Sequence, residues 1–219
     1  ESKQVGRILA AGTFTLASVG ELQKSALYMI LNSWNAERII AEFPKEARKD
    51  LYQSDINFCF EEIWKNRNKE GGFLKVVFLL NQQPDLSAER VEEVYQYLFK
   101  SQTKAEALER AKAGVLVNQI GGKTKNILIE YFNNKNSSAE AVEERVINAI
   151  KAKQSDLVTF LINNSEDERI NLNLGYVDNN QLNYLHHAIK SGDERIVEEL
   201  VKRSIGLNHL NRNEDTPLI

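Results

Sequence analysis

Four groups of residues in this chain are of types that do chemistry. Gly121-Gly122-Lys123-Thr124 has the ending of a phosphate-binding loop, in which glycine amides cradle phosphates, a lysine reaches the outer phosphates and a hydroxyl holds magnesium. That loop takes its first glycine five positions before Gly122 (122 − 117 = 5), where this chain has Val117, and Gly114 is eight back (122 − 114 = 8). A glycine pair that starts a helix is the better reading. Cys59 would be a nucleophile beside a histidine, but it stands between Phe58 and Phe60 with no histidine near it in sequence, which suits a small core residue. His186 and His187 are adjacent, so on a helix they point about 100° apart and do not form the i, i+4 pair that shares a metal. His187 and His209 are expected to face solvent. The carboxylate pairs Glu61-Glu62, Glu92-Glu93, Glu143-Glu144 and Glu198-Glu199 stand on helices whose other face is apolar, and they read as solvated charge. No catalytic constellation, metal site or cofactor site emerges.

Bulk properties narrow the field further. The 219 residues suffice for one large domain or two small ones, and 42% are apolar, as in a folded protein. The formal charge of −3, from 28 basic and 31 acidic residues, lacks the basic excess that nucleic acid requires. A single cysteine makes no internal disulfide, which fits the cytoplasm or another reducing compartment. Three prolines and 11 glycines leave room for long helices. The apolar stretch Ile8–Val19, after Arg7, spans 12 residues, too few to cross a membrane. Its length matches a signal-peptide core, but Thr13, Thr15 and the missing initiator Met favour a buried helix or strand.

The elements follow from apolar spacing. Leu22, Ala26, Met29 and Ile30 share a helical face, and Asn35–Phe43 reads as a helix that Pro44 ends. A helix over 55–67 turns Phe58, Cys59, Ile63 and Trp64 inward, and its partner follows Gly71-Gly72 as the ridge Phe73–Leu80. Ser87 caps a helix with Val91, Val94, Tyr95 and Leu98 on one face. The glycine-then-ridge pattern returns at Gly121-Gly122, 50 residues after Gly71 (121 − 71 = 50). Ser137–Glu140 has a capping-box pattern and opens a helix through Val146, Ile147 and Ile150.

Toward the end the chain repeats itself. Asn183-Tyr184-Leu185-His186 precedes Thr216-Pro217-Leu218-Ile219 by 33 residues (216 − 183 = 33). Asn183 and Thr216 suit a helix N-cap, and Pro217 suits the first helical position. Leu185, Ala188 and Ile189 form one inner face, Ile196, Val197, Leu200 and Val201 a second, and Gly192 separates them. Ala149–Ile162 aligns with Ala188–Val201 at an offset of 39 (188 − 149), and Ile170-Asn171-Leu172-Asn173 with Ile205-Gly206-Leu207-Asn208 at 35 (205 − 170). About four extra residues therefore lie in the Asn163–Arg169 loop.

A period of 33 with a Thr-Pro-Leu-His opening resembles the ankyrin repeat. The likeness is clear over 183–219, divergent over about 139–182 and weak before that. It implies an all-α fold: an ankyrin-type α-solenoid over 137–219, with residues 1–136 as a helical domain stacked on it or as degenerate ankyrin-like helix pairs, and further repeats expected past Ile219. Such helix pairs bury their faces only by stacking on neighbours. The family's histidine, His186 here, is expected to bond neighbouring backbone and tie repeats together.

Ankyrin proteins bind other proteins through hairpin tips and first-helix surfaces. Carried onto this chain, those surfaces are Val177, Asn179, Asn180, Leu182, Lys190 and Ser191, then Leu210, Arg212, Asn213 and Asp215, with Asp178 matching the motif's Asp. Gln181 and Glu214 stand where the family has glycine, so a different turn is expected there. The resemblance implies a non-enzymatic protein-interaction module, with no nucleic-acid partner and no membrane span. The alternative is an enzyme whose catalytic part lies in residues 1–136 and whose repeats select the substrate. Richness in Asn, Lys and Ile is similar to proteins of AT-rich bacteria, whose ankyrin proteins include effectors delivered to a host cytosol, and this implies a host protein as partner.

Overall fold

The computed structural model describes residues 26–35, 38–39, 53–100, 110, 117, 119–135 and 141–218. Among them are nine helices and no strand, so the chain is all-α there. They fall in two compact units, one within 1–86 and 109–125, the other within 87–108 and 126–219. Leu22, Ile8–Val19, Pro44, Ser137–Glu140 and Ile219, and most of Asn35–Phe43, lie outside the described residues.

The first unit contains α1 (Ala26–Ser33), α2 (Gln53–Lys65) and α3 (Gly72–Leu80). α1 packs on α2, and α2 on α3. In α2 the buried side chains Ile56, Cys59, Phe60, Ile63 and Trp64 follow the i, i+3, i+4, i+7, i+8 stripe of a helix with one apolar face. Phe58 falls off that stripe and is 45% exposed, contrary to the inward place expected for it. Its ring meets the edge of Tyr28 at 5.9 Å. α3 is buried nearly all round, as a helix at the centre of a core must be.

Helix α5 (Gly122–Lys135) has its first turn in this unit. Gln83 Oε1 accepts the Lys123 amide at 3.1 Å and so satisfies one orphan donor of the helix start. Gly122 has φ +53, and a Cβ there would come within 2.6 Å of the Gln83 side chain, so the position needs glycine. Thr124 Oγ1 donates to the Leu80 carbonyl at 3.0 Å, and the Lys123 ammonium pairs with Asp85. The groups that resembled a phosphate loop are therefore bonded within the protein, at a helix start.

The second unit holds α4 (Ala88–Phe99), the rest of α5, α6 (Val142–Lys151), α7 (Ser155–Asn163), α8 (Tyr184–Ser191) and α9 (Glu194–Lys202). Ser87 caps α4 by accepting the Arg90 amide at 3.2 Å. Val91, Val94, Tyr95 and Leu98 are buried together as their spacing predicts. α6 starts at Val142 after Ala141, which offers no side-chain acceptor, so the helix opens later than the capping-box pattern suggests.

α6 packs on α7 and on α8, and α9 packs on α7 and on α8. The matched helices α7 and α9 are tied at both ends. The buried Asp156 pairs with Arg195 at 2.7 Å, Ser155 Oγ donates to Asp193 at 2.7 Å, and Arg203 donates to Asn163 at the far end. Asp156 and Arg195 are 39 apart (195 − 156), the offset that aligns the two segments. The longer loop after α7 is fastened to α5: Arg169 donates to Asn126 at 3.0 Å and accepts from Asn133 at 2.9 Å.

Two expected inner positions turn outward. Leu185, Ala188, Ile196 and Leu200 are fully buried, but Ile189 and Val201 are each 38% exposed and Val197 is half-buried. The inner face of α8 is instead completed by Tyr184 and His187, which rotates it away from Ile189.

Candidate functional site

The polar features of the second unit converge on two hairpins with the same bonding. In the first, Asp178 Oδ1 accepts the amides of Asn180 at 2.8 Å and Leu182 at 2.9 Å, and the Asp178 amide donates to the Leu182 carbonyl at 2.9 Å. In the second, Asn211 Oδ1 accepts from Asn213 at 2.8 Å and Asp215 at 3.1 Å, and the Asn211 amide donates to Asp215 at 3.0 Å. Every partner shifts by 33 residues (211 − 178 = 33). Aspartate and asparagine suit this place because a short side-chain oxygen reaches amides two residues on. Gln181 at φ +61 and Glu214 at φ +65 keep the left-handed backbone that glycine would adopt there, so the turn is retained with non-glycine residues and not replaced by another.

Val177 bridges to Asn183 in antiparallel fashion and leads the chain into α8. Asn183 Oδ1 accepts the His186 amide at 3.0 Å, while the His186 ring accepts the Asn183 amide at 3.4 Å, forming a capping box. The other ring nitrogen, Nε2, lies 3.4 Å from the Asp215 carbonyl of the second hairpin. Gly206, at φ +71, accepts from Asn183 Nδ2 at 2.8 Å, and a Cβ there would stand 2.3 Å from that nitrogen.

His187 is the main correction to the sequence reading. It is 6% exposed, not solvent-facing, and its Nε2 lies 3.1 Å from Asp178 Oδ2. Burial pushes its pKa below the ordinary imidazole value; Asp178 opposes this, and Lys151 and Lys190 add to it. The neutral ring therefore donates through Nε2–H to the carboxylate. For Asp178 burial acts upward, but the Leu182 and Asn180 amides and His187 outweigh it and hold the carboxyl below its usual range. His209, half-buried, places Nε2 3.1 Å from the Gln181 carbonyl.

Beside the first tip is a cleft of about 240 Å³ lined by Glu144, Ile147, Asn148, Lys151, Tyr176, Asp178, Asn179 and Asn180. One wall is the outer face of α6, where Glu144, Asn148 and Lys151 recur at i, i+4 and i+7. The other wall is the hairpin. Tyr176 lies against the buried Tyr184 ring at 6.2 Å, and the Tyr184 hydroxyl donates to the Asn173 carbonyl at 3.2 Å. Burial, then Glu144, Asp178 and Glu143, raise the Tyr176 pKa.

Of the residues singled out in the sequence, Asn179 and Asn180 are exposed in this cleft. Val177 and Leu182 are half-buried in the hairpin stem. Lys190 is exposed on α8, while Ser191 donates to the Ala188 carbonyl at 2.7 Å and accepts the Asp193 amide at 3.3 Å. Leu210, Arg212, Asn213 and Asp215 are exposed at the second hairpin, and the Arg212 guanidinium donates to the Asn179 carbonyl. Glu144, Asn148, Lys151 and Tyr176 were not among the expected residues, although the polar i, i+4, i+7 spacing on α6 was readable. Cys59 is fully buried in α2. Among the described residues no group of three or more His, Cys, Asp or Glu is placed to hold a metal, and no helix is long and apolar enough to cross a membrane. Comparison with family models, with curated proteins and with solved structures gave no match to this chain.

Proposed function

We propose that this chain is a non-enzymatic protein-interaction module of ankyrin-repeat type, which holds a partner protein at its hairpin tips and on the adjoining helix surfaces. The observation that carries the reading is the cleft between the Tyr176–Asn180 tip and the outer face of α6. The 33-residue recurrence of the hairpin bonding and the side-by-side matched helices α7 and α9 support the repeat assignment. The tip satisfies its own backbone through Asp178 and leaves the Asn179 and Asn180 side chains exposed, a rigid frame carrying adaptable polar contacts. The compositional likeness to host-directed bacterial effectors extends the proposal to a host protein as partner.

Site-directed photo-crosslinking tests it. A crosslinking residue at Asn180 should capture a discrete partner from cell extract, and one at the exposed Lys202 on α9 should not. Capture from Lys202 alone, or from both with equal yield, would remove the hairpin face from consideration.

A further inference from the structure

We propose, resting on the interaction reading above, that the cleft beside Tyr176 receives a basic side chain, arginine or lysine, of the partner protein, with Glu144 as its counter-charge. Small-molecule pockets enclose about 300–1,000 Å³. At about 240 Å³ this cleft is scaled to an inserted side chain. Its lining decides the sign of the occupant.

Glu144 is exposed on the cleft wall and has no ion-pair partner among the described residues. Any occupant that covers this carboxylate removes its water, and a neutral or acidic group would leave it uncompensated. A cation supplies the missing charge. Asp178 adds negative field without offering a contact, because its oxygens already accept from Asn180, Leu182 and His187. Tyr176 contributes an aromatic ring of the kind cations favour, and the side-chain oxygens of Asn148, Asn179 and Asn180 are acceptors for N–H groups.

The opposing charges are Lys151, which also lines the cleft, and Lys190 on α8. Lys151 is seven residues from Glu144 (151 − 144 = 7), about 10.5 Å along the helix axis at 1.5 Å per residue. Physiological salt screens exposed charges beyond about 8 Å. The Glu144 end therefore keeps its own negative character, which Glu143, Glu144 and Asp178 also impose on the Tyr176 hydroxyl.

The test titrates the isotope-labelled full chain with N-acetyl-arginine methylamide and, separately, with the matching glutamate derivative, followed by NMR. The arginine probe should shift resonances of residues 144–151 and 176–180, and the glutamate probe should not. Glu144→Gln should weaken the arginine response about tenfold, the loss of one charge-assisted contact, while the melting temperature stays unchanged. Absence of localised shifts, equal response to both probes, or an undiminished response in Glu144→Gln would overturn the proposal. The interaction reading is tested apart from it: a partner that crosslinks at Asn180 equally well in Glu144→Lys leaves the module standing and overturns the basic-side-chain assignment.

Discussion

The Asp178–His187 contact carries the sharpest prediction about the hairpin frame. In Asp178→Ala the amides of Asn180 and Leu182 lose their acceptor, and water replaces it at the exposed tip for a net loss of about 0.5–1.5 kcal/mol per bond. The His187 N–H, in a ring only 6% exposed, is left without a partner, at a further cost of about 1–3 kcal/mol. The second unit should lose about 3 kcal/mol in urea unfolding. Asp178→Asn retains Oδ1 for the two amides, and the ring can shift tautomer to accept from the new Nδ2, so that variant should lose about 1 kcal/mol. The pH dependence follows from the signs of the two shifts. The folded pKa of His187 lies below the unfolded value of 6.5, so the unfolded chain binds the proton first. Stability is full above 6.5 and declines as pH falls from there toward the folded value. The folded pKa of Asp178 lies below 3.8, so its contribution is present above 3.8 and is lost as pH falls through the folded value. Asp178→Asn removes the attraction that supports the imidazolium, which depresses His187 further and steepens the loss below 6.5. An Asp178→Ala variant within about 0.5 kcal/mol of the parent, the range of an ordinary surface change, would refute the reasoning.

Leu185→Ala, at a fully buried position in α8, should destabilise the second unit by about 2–5 kcal/mol in the same assay. Gln181→Gly and Glu214→Gly should each stabilise by about 1 kcal/mol, read as a higher melting temperature, because both residues hold positive φ. Gly206→Ala should lose about 2 kcal/mol by combining backbone strain with displacement of the Asn183 cap, and hydrogen exchange at the start of α8 should rise with it. Asp156→Ala should lose about 3 kcal/mol by leaving Arg195 without its buried partner, whereas loss within the surface range would show that α7 and α9 do not depend on the pair.

What the sequence revealed was set by local rules. Ser87 could be read as a cap because an N-cap acts over three residues, and the Val91–Leu98 face because helical spacing is local. The Asp178 and Asn211 turns were visible as equivalent positions because their bonds close within four residues. Phe58 was misplaced because an aromatic in an apolar run satisfies a composition rule while lying off the i, i+3, i+4 stripe of Ile56, Cys59 and Phe60. His187 was misplaced for a different reason. Its burial depends on a carboxylate nine residues earlier (187 − 178 = 9), across a turn and a helix start. The cleft was hidden because its walls are some 30 residues apart in sequence, and only the packing of α6 on α8 brings Glu144 and Asn148 beside Asn180.

The two hairpins separate shape from charge. Both take their shape from one side-chain oxygen accepting two amides, and this works equally well for Asp178 and for Asn211. Their electrostatics differ, because Asp178 is ionised and Asn211 is neutral. The first tip also lies beside Glu144, while the second extends Arg212, whose guanidinium reaches the Asn179 carbonyl of the first. Two tips with one backbone form therefore present opposite fields to whatever lies across them. A partner matched only to the shape would bind in either register, shifted by one repeat. A partner that places its basic side chain against Glu144 is held in a single register, since the same side chain one repeat further on would meet Arg212.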